Sequence, residues 1–404
     1  MKSIIDKRFL IKLNQICDLQ NGYAVKSSDY IEKSNTLNCR MSNIRPDGTF
    51  DIMYNPKYLP DDFSIKHKDF LLHDGDLIIA MTDMAGDPKI LGVPTVVNTK
   101  GYNLILNQRV GKLILLNNDI SIPFLKLSLQ SQLVRNYLKR FAGGGLQLNV
   151  GKEDILNSNI YMYPITEQRI IADFFEKLQI IIRKLKLLLE KYDSLIKSRF
   201  IEMFGDNPVK SGKWNVETLG DVCSSIVRGP FGSALKKEFF VPKSDKTIKV
   251  YEQKHAIQKS STIGSYYITQ EKYEELKRFE CKPGDFLMSC SGTMGEFYQL
   301  PDKCEKGIIN QALCKFTLNN KIESLFFLEW MKQSIHNLET KGSGIQNVAA
   351  VSFIKQMPVF LPPMQLQNNF AAFVHQIDKS KFAVQKSLEK AETLYKSLMQ
   401  EYFG

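Results

Sequence analysis

Residues Glu167–Phe204 read EQRIIADFFEKLQIIIRKLKLLLEKYDSLIKSRFIEMF, the longest unbroken periodicity in the chain. Ile171, Phe174, Leu178, Ile181, Leu185, Leu188, Tyr192 and Leu195 follow in steps of three and four, the spacing of one seam of a coiled-coil helix. Pro164 and Thr166 precede the run, Glu167 suits the positive end of a helix dipole, and Gly205 and Pro208 close it. At ~1.5 Å per residue, a helix of this length spans about 55 Å. A second stripe, Phe175, Ile182, Leu189 and Ile196, recurs every seven residues beside the seam. A two-helix coil needs only two positions per heptad, so this stripe is expected to face a further surface: a partner protein, or the globular parts of the same chain.

Shifting by 199 positions lays the seam over Phe370, Phe373, Ile377, Ser380, Val384, Ser387, Ala391 and Leu394 without a gap. The second stripe maps onto Val374, Lys381, Leu388 and Tyr395. The tails agree too, Leu195–Gly205 over Leu394–Gly404. A helix present twice calls for a search of the whole chain for a repeat.

The repeat extends through the rest of the chain. Leu13–Cys17 answers Leu219–Cys223, Gly22–Ser27 answers Gly229–Ser233, and Asp74–Ile79 answers Pro283–Met288. Leu106–Val110 answers Ile309–Leu313, and Gly143–Val150 answers Gly342–Val348. Each globule reads as mixed α/β: a short strand into a Gly-containing polar loop, a buried strand at Leu77–Met81, another over Leu106–Leu115, and an amphipathic helix from Pro123 to Arg140. The order is globule, helix, globule, helix, with bounds 1–165, 166–205, 206–365 and 366–404. The expected fold class is α/β (α+β): two mixed globules joined by two long helices that form an antiparallel coiled coil, related by a pseudo-twofold internal repeat.

The chain has 404 residues, and 54 Lys and Arg against 43 Asp and Glu give a net charge of +11. Of this, +8 lies outside the two helices, which suits globules that meet a polyanion; a basic surface kept for solubility is the plainer alternative. No apolar stretch reaches membrane-spanning length and no secretory segment opens the chain, so a cytoplasmic protein without a membrane partner is expected. Seven cysteines form no C-x-x-C pair, and the spacing of Cys281, Cys290, Cys304 and Cys314 matches no compact zinc site, so no metal is expected.

Catalytic motifs are missing as well. Asn55-Pro-Lys-Tyr58 lacks the second proline of an amino-methyltransferase motif, and no Gly-rich strand–turn–helix precedes it to hold a methyl donor. Ala142-Gly-Gly-Gly-Leu lacks the Gly-Lys-Ser/Thr of a phosphate loop. The loops instead carry donors able to reach base edges or phosphates. These are Tyr23, Lys26, Ser27, Ser28, Gln147 and Asn149 in the first globule, and Arg228, Ser233, Lys236, Lys237, Ser291, Thr293, Gln346 and Asn347 in the second.

In this order, twice, the Gly22–Ser27 start, the Gly75-Asp76 and Gly284-Asp285 strand starts and the Gly-rich loop before Pro-x-x-Glu-Gln (Pro164–Gln168) resemble the specificity subunits of type I restriction–modification systems. The resemblance covers the whole chain. Leu366 stands where the second helix should repeat the Glu. The resemblance implies two target-recognition domains, each reading half of a bipartite, asymmetric double-stranded DNA target, with the coil fixing the spacer. It implies docking of two methyltransferase subunits, for which the stripe of Phe175, Ile182, Leu189, Ile196, Leu388 and Tyr395 offers a surface, and of restriction/translocase subunits. The chain itself would need no cofactor: S-adenosylmethionine belongs to the methyltransferase, ATP and Mg to the nuclease. Specificity subunits of bifunctional type II enzymes share the pattern, and a coil that binds only proteins is the non-catalytic alternative.

Overall fold

The computed structural model describes residues 7–117, 119–141, 147–335 and 351–404. It divides into two compact units: unit 1 comprises Met1–Lys186 with Gln385–Gly404, and unit 2 comprises Leu187–Val384. The two long helices, Ile165–Phe204 and Met364–Phe403, each contribute to both. No described helix is long and apolar enough to cross a membrane.

In unit 1, an antiparallel sheet runs in the order Cys17–Asn21, Val110–Leu115, Leu77–Ala80, Pro94–Val96. A second sheet runs Tyr58–Leu59, Thr36–Cys39, Asn103–Leu106, Leu71–Leu72, with its central pair parallel. Unit 2 repeats both. Its first sheet is Cys223–Arg228, Leu313–Leu318, Phe286–Ser289, Phe297–Gln299; its second is Tyr267–Ile268, Ile248–Tyr251, Gly307–Ile309, Glu280–Cys281, again with a parallel centre. The fold class is mixed α/β with an internal repeat.

The repeated motifs have structural work in both copies. Gly75 and Gly284 adopt φ of 89° and 85°, a conformation glycine takes without steric cost. The aspartate after each closes the turn: Asp76 accepts from the His73 amide at 2.8 Å and Asp285 from the Lys282 amide at 2.8 Å. Each also pairs with a lysine on the neighbouring strand, Lys112 at 2.7 Å and Lys315 at 3.6 Å. The Gln of the helix starts is a buried clamp. Gln168 accepts from the Ser121 amide at 3.0 Å and donates to the carbonyls of Asp119 and Tyr163, both at 2.8 Å. Gln367 does the same for Glu323, Lys321 and Pro362. Leu366 in place of the Glu leaves this clamp untouched. Replacing Gln168 by Ala orphans three backbone groups, so unit 1 is expected to lose roughly 2–3 kcal/mol in urea unfolding.

Two expected elements are divided. The stretch Leu106–Leu115 is two strands, because the Asn107 side chain accepts from the Arg109 amide at 3.1 Å and turns the chain. The expected helix from Pro123 to Arg140 breaks at Ser131, whose ψ of 152° is not helical and whose hydroxyl accepts from the Val134 amide that opens the second segment.

Within each unit the long helices run antiparallel. In unit 1, Phe175 meets Tyr402 and Phe403, Gln179 donates to the Tyr395 hydroxyl at 2.9 Å, and Lys186 pairs with Glu392 at 2.8 Å. In unit 2, Asp193 pairs with Lys381, Arg199 lies over Phe373, and Phe200 packs on Phe370. Half of the expected seam holds, with Ile171, Leu178 and Phe370 buried and Leu185 and Tyr192 half-buried, while the alternate heptad position moves by one residue. Phe174, Ile181, Leu195 and Leu394, expected inside, are 36%, 49%, 45% and 47% exposed. Of the stripe expected to face a partner or the globules of the same chain, Phe175, Ile196 and Leu388 are buried and Ile182, Leu189 and Tyr395 half-buried, as the second alternative has it. The stripe thus belongs to the helix pair and the cores beneath it. In a run where both neighbouring heptad positions are apolar, the partner helix selects which one is covered.

Candidate nucleic-acid interface

In unit 1, four segments meet at one end of the first sheet. The strand Cys17–Asn21 leads into Gly22 and Tyr23, and Tyr23 bonds through its amide to the Leu106 carbonyl at 2.8 Å and through its carbonyl to the Gln108 amide at 2.9 Å. A Cβ on Gly22 would collide with the carbonyl of Asn107, so this approach requires glycine. The turn 107–109 is tied in turn to Met81, whose amide donates to the Arg109 carbonyl at 3.0 Å. After Met81, the strand Thr82–Met84 pairs with Gln147–Asn149.

The structure therefore gathers most of the expected residues of the first globule. Lys26, Ser27 and Ser28 are exposed on a turn that Asp29 holds by accepting from the Lys26 amide at 2.8 Å. Gln147 is half-buried, and Asn149 is exposed with its side-chain oxygen accepting from the Thr82 hydroxyl at 2.8 Å. Tyr23 has a different role. Its ring stacks on His67 at 4.0 Å and touches Phe63 and Phe70, so it anchors the loop inward. Three residues were missed: Gln108 and Arg109 stand exposed on the turn beside this loop, and Arg40 borders the adjoining hollow of about 250 Å³ with them. The signal available was the Asn-Gln pair, present in both repeats and read as strand interior.

Unit 2 builds the same frame with other side chains. A Cβ on Gly229 would collide with the carbonyl of Asn310, and Asn310 turns the chain by accepting from the Ala312 amide at 3.1 Å. Gln311 is exposed there, as Gln108 is in unit 1. Ser233, Lys236 and Lys237 are exposed on the loop that follows Gly229. Ser291 and Thr293 lie on a second loop, pinned from below by Gln253, whose amide donates to both of their carbonyls. Arg228 ends its strand near the buried pair Cys290 and Cys314. The hydrogen bond between the two thiols, aided by Arg228, holds Cys290 below the ordinary thiol range, while the same bond and burial push Cys314 well above it. Gln346, Asn347 and the Gly-rich loops 142–146 and 342–345 lie outside the described residues.

Both ends present amide, guanidinium, ammonium and hydroxyl donors on short, well-tied loops. Such groups bond phosphates and the edges of base pairs. Among the described residues, no three His, Cys, Asp or Glu side chains gather as a metal site.

Comparison with known proteins agrees with this geometry. The family model described as type I restriction modification DNA specificity domain matches twice, over residues 10–191 and 211–392. The type I restriction enzyme MjaVIII specificity subunit of Methanocaldococcus jannaschii is 27% identical over 188 residues, 45% of this chain; the match spans 42% of that relative. The type I restriction–modification S subunit from M. genitalium has the same fold, with a TM-score of 0.55 at 15% identity over 98% of this chain and 96% of that one. A chain from work on complex assembly and conformational transition of the type I R-M system gives a TM-score of 0.57 at 17% identity, over 98% and 97%. With two copies of that family's domain filling most of its length, the chain belongs to the type I restriction–modification DNA specificity domain family.

Proposed function

We propose that this chain is the DNA-recognition subunit of a type I restriction–modification complex, each unit reading one half of a bipartite target. The observation that carries this reading is the shared frame with different side chains. Gly22 and Gly229 fix the same close approach to Asn107 and Asn310, yet the loops they launch and the turns beside them bear Lys26, Ser27 and Arg109 in one unit and Phe231, Ser233 and Gln311 in the other. One scaffold bearing two sets of contacts suits two different half-sites, hence an asymmetric sequence. The chain performs no catalysis in this reading. S-adenosylmethionine serves the two methyltransferase subunits, and ATP and Mg serve the restriction/translocase subunits. The long helices set the spacer, and methyltransferase docking moves from the buried stripe to exposed residues such as Phe174 and Ile181.

The test is methylation sequencing of a host that expresses the chain with its cognate methyltransferase subunit, against the methyltransferase alone. Modified adenines in one bipartite motif, present only with this chain, are expected. An active, stably assembled methyltransferase that marks no new motif overturns the reading.

A further inference from the structure

The loop after Gly229 holds an aromatic ring out into solvent by construction. Gly229 and Pro230 are both buried; the first has no room for a side chain, and the second has its φ fixed by its ring. Five residues on, Leu235 is buried in the core of the outer sheet. Between these anchors Phe231 stands 64% exposed. The guanidinium of Arg228 lies 5.1 Å from its ring centre, which restricts the ring to one side. Ser233, Lys236, Lys237 and Glu238 follow it, all exposed, and the exposed Gln311 sits on the turn against which Gly229 packs.

An exposed ring held by a guanidinium, on a loop whose exposed side chains are serine, lysine and glutamate, does not match a protein interface core, where apolar side chains cluster. It matches the base stack of a polyanion, where basic groups hold the backbone and an apolar wedge enters between bases. We propose that Phe231, braced by Arg228, inserts into the base stack of the half-site read by unit 2 and unstacks one step there. This rests on the DNA-recognition reading above. Unit 1 lacks the device. Two residues after Gly22, where unit 2 has Phe231, stands Ala24, and the Tyr23 before it packs on His67. The deformation is therefore confined to one half of the target, and it falls at a readily unstacked pyrimidine–purine step.

The test uses the full chain with its methyltransferase subunit on duplexes bearing the methylated motif, with 2-aminopurine substituted in turn through both half-sites. A fluorescence rise is expected at one step of one half-site, and none in the other half. Phe231→Ala should abolish the rise and weaken target binding roughly ten- to hundredfold, the range of one lost stacking contact, whereas Phe231→Trp should keep both. A probe that stays quenched at every position, or an Ala variant that retains both the rise and the affinity, overturns the wedge. A wild-type chain that directs no bipartite methylation instead overturns the recognition reading itself, so the two failures are told apart.

Discussion

Phe175→Ala is expected to destabilise unit 1 by about 3–5 kcal/mol, while Phe174→Ala, one residue away, should cost less than about 1 kcal/mol. Phe175 is fully buried, with the rings of Tyr395, Tyr402 and Phe403 within 5.4–6.1 Å of its own. Truncating it removes the burial of a whole ring and leaves a cavity between the two helices. Phe174 is 36% exposed and gives up only a partial contact. Urea unfolding of the two variants, followed by circular dichroism, reads the difference directly. Equal losses, or a larger loss at Phe174, would place the seam back where the heptad count alone puts it. Since a domain is held by only 5–15 kcal/mol, the first substitution should also be visible as a fall in melting temperature.

The second large effect concerns recognition. Gly229→Ala sets a methyl group against the Asn310 carbonyl, and backbone on both sides leaves no flexible neighbour to give way. The loop bearing Phe231 and Ser233 must shift. One lost stacking contact is worth about 1–3 kcal/mol and the Ser233 hydroxyl moves with it, so affinity for the bipartite target is expected to fall by roughly a hundredfold. Gly22→Ala makes the same collision with Asn107 in unit 1. The two variants should therefore damage opposite halves: discrimination in one half-site collapses with Gly229→Ala and in the other with Gly22→Ala. Binding to singly mutated duplexes separates them, and damage to the same half-site by both variants would show that the units do not read separate halves.

Much of this architecture is written in the chain. Two helices at a constant offset of 199, and a second series of strand starts behind the first, announce a repeat because duplicated elements keep their spacing while surface residues drift. The Gly-Asp strand starts and the helix-start glutamine were visible as motifs. The ion pair of Asp76 and the clamp of Gln168 were not, because Lys112 lies 36 residues away and two of the clamp's three partners lie 47 and 49 away in sequence. Gln108 and Arg109 escaped notice for a related reason. They sit inside an apolar run that reads as one strand, and the Asn107 turn that exposes them depends on a local hydrogen bond that composition does not display.

The helix seam marks where sequence pattern stops and packing takes over. Periodicity establishes a helix of this length and a partner of matching length, since a three-four alternation of apolar residues over about seven turns has no other stable use. It leaves two adjacent registers, the Phe174 and Phe175 series, nearly equal, because both are apolar at every heptad of the first helix. Tyr395, Tyr402 and Phe403 in unit 1, and the ring cluster of Phe204, Phe326, Phe360 and Phe370 around Phe200 in unit 2, settle the choice. The register that buries the larger rings gains the burial energy, and that comparison requires residues some two hundred positions away.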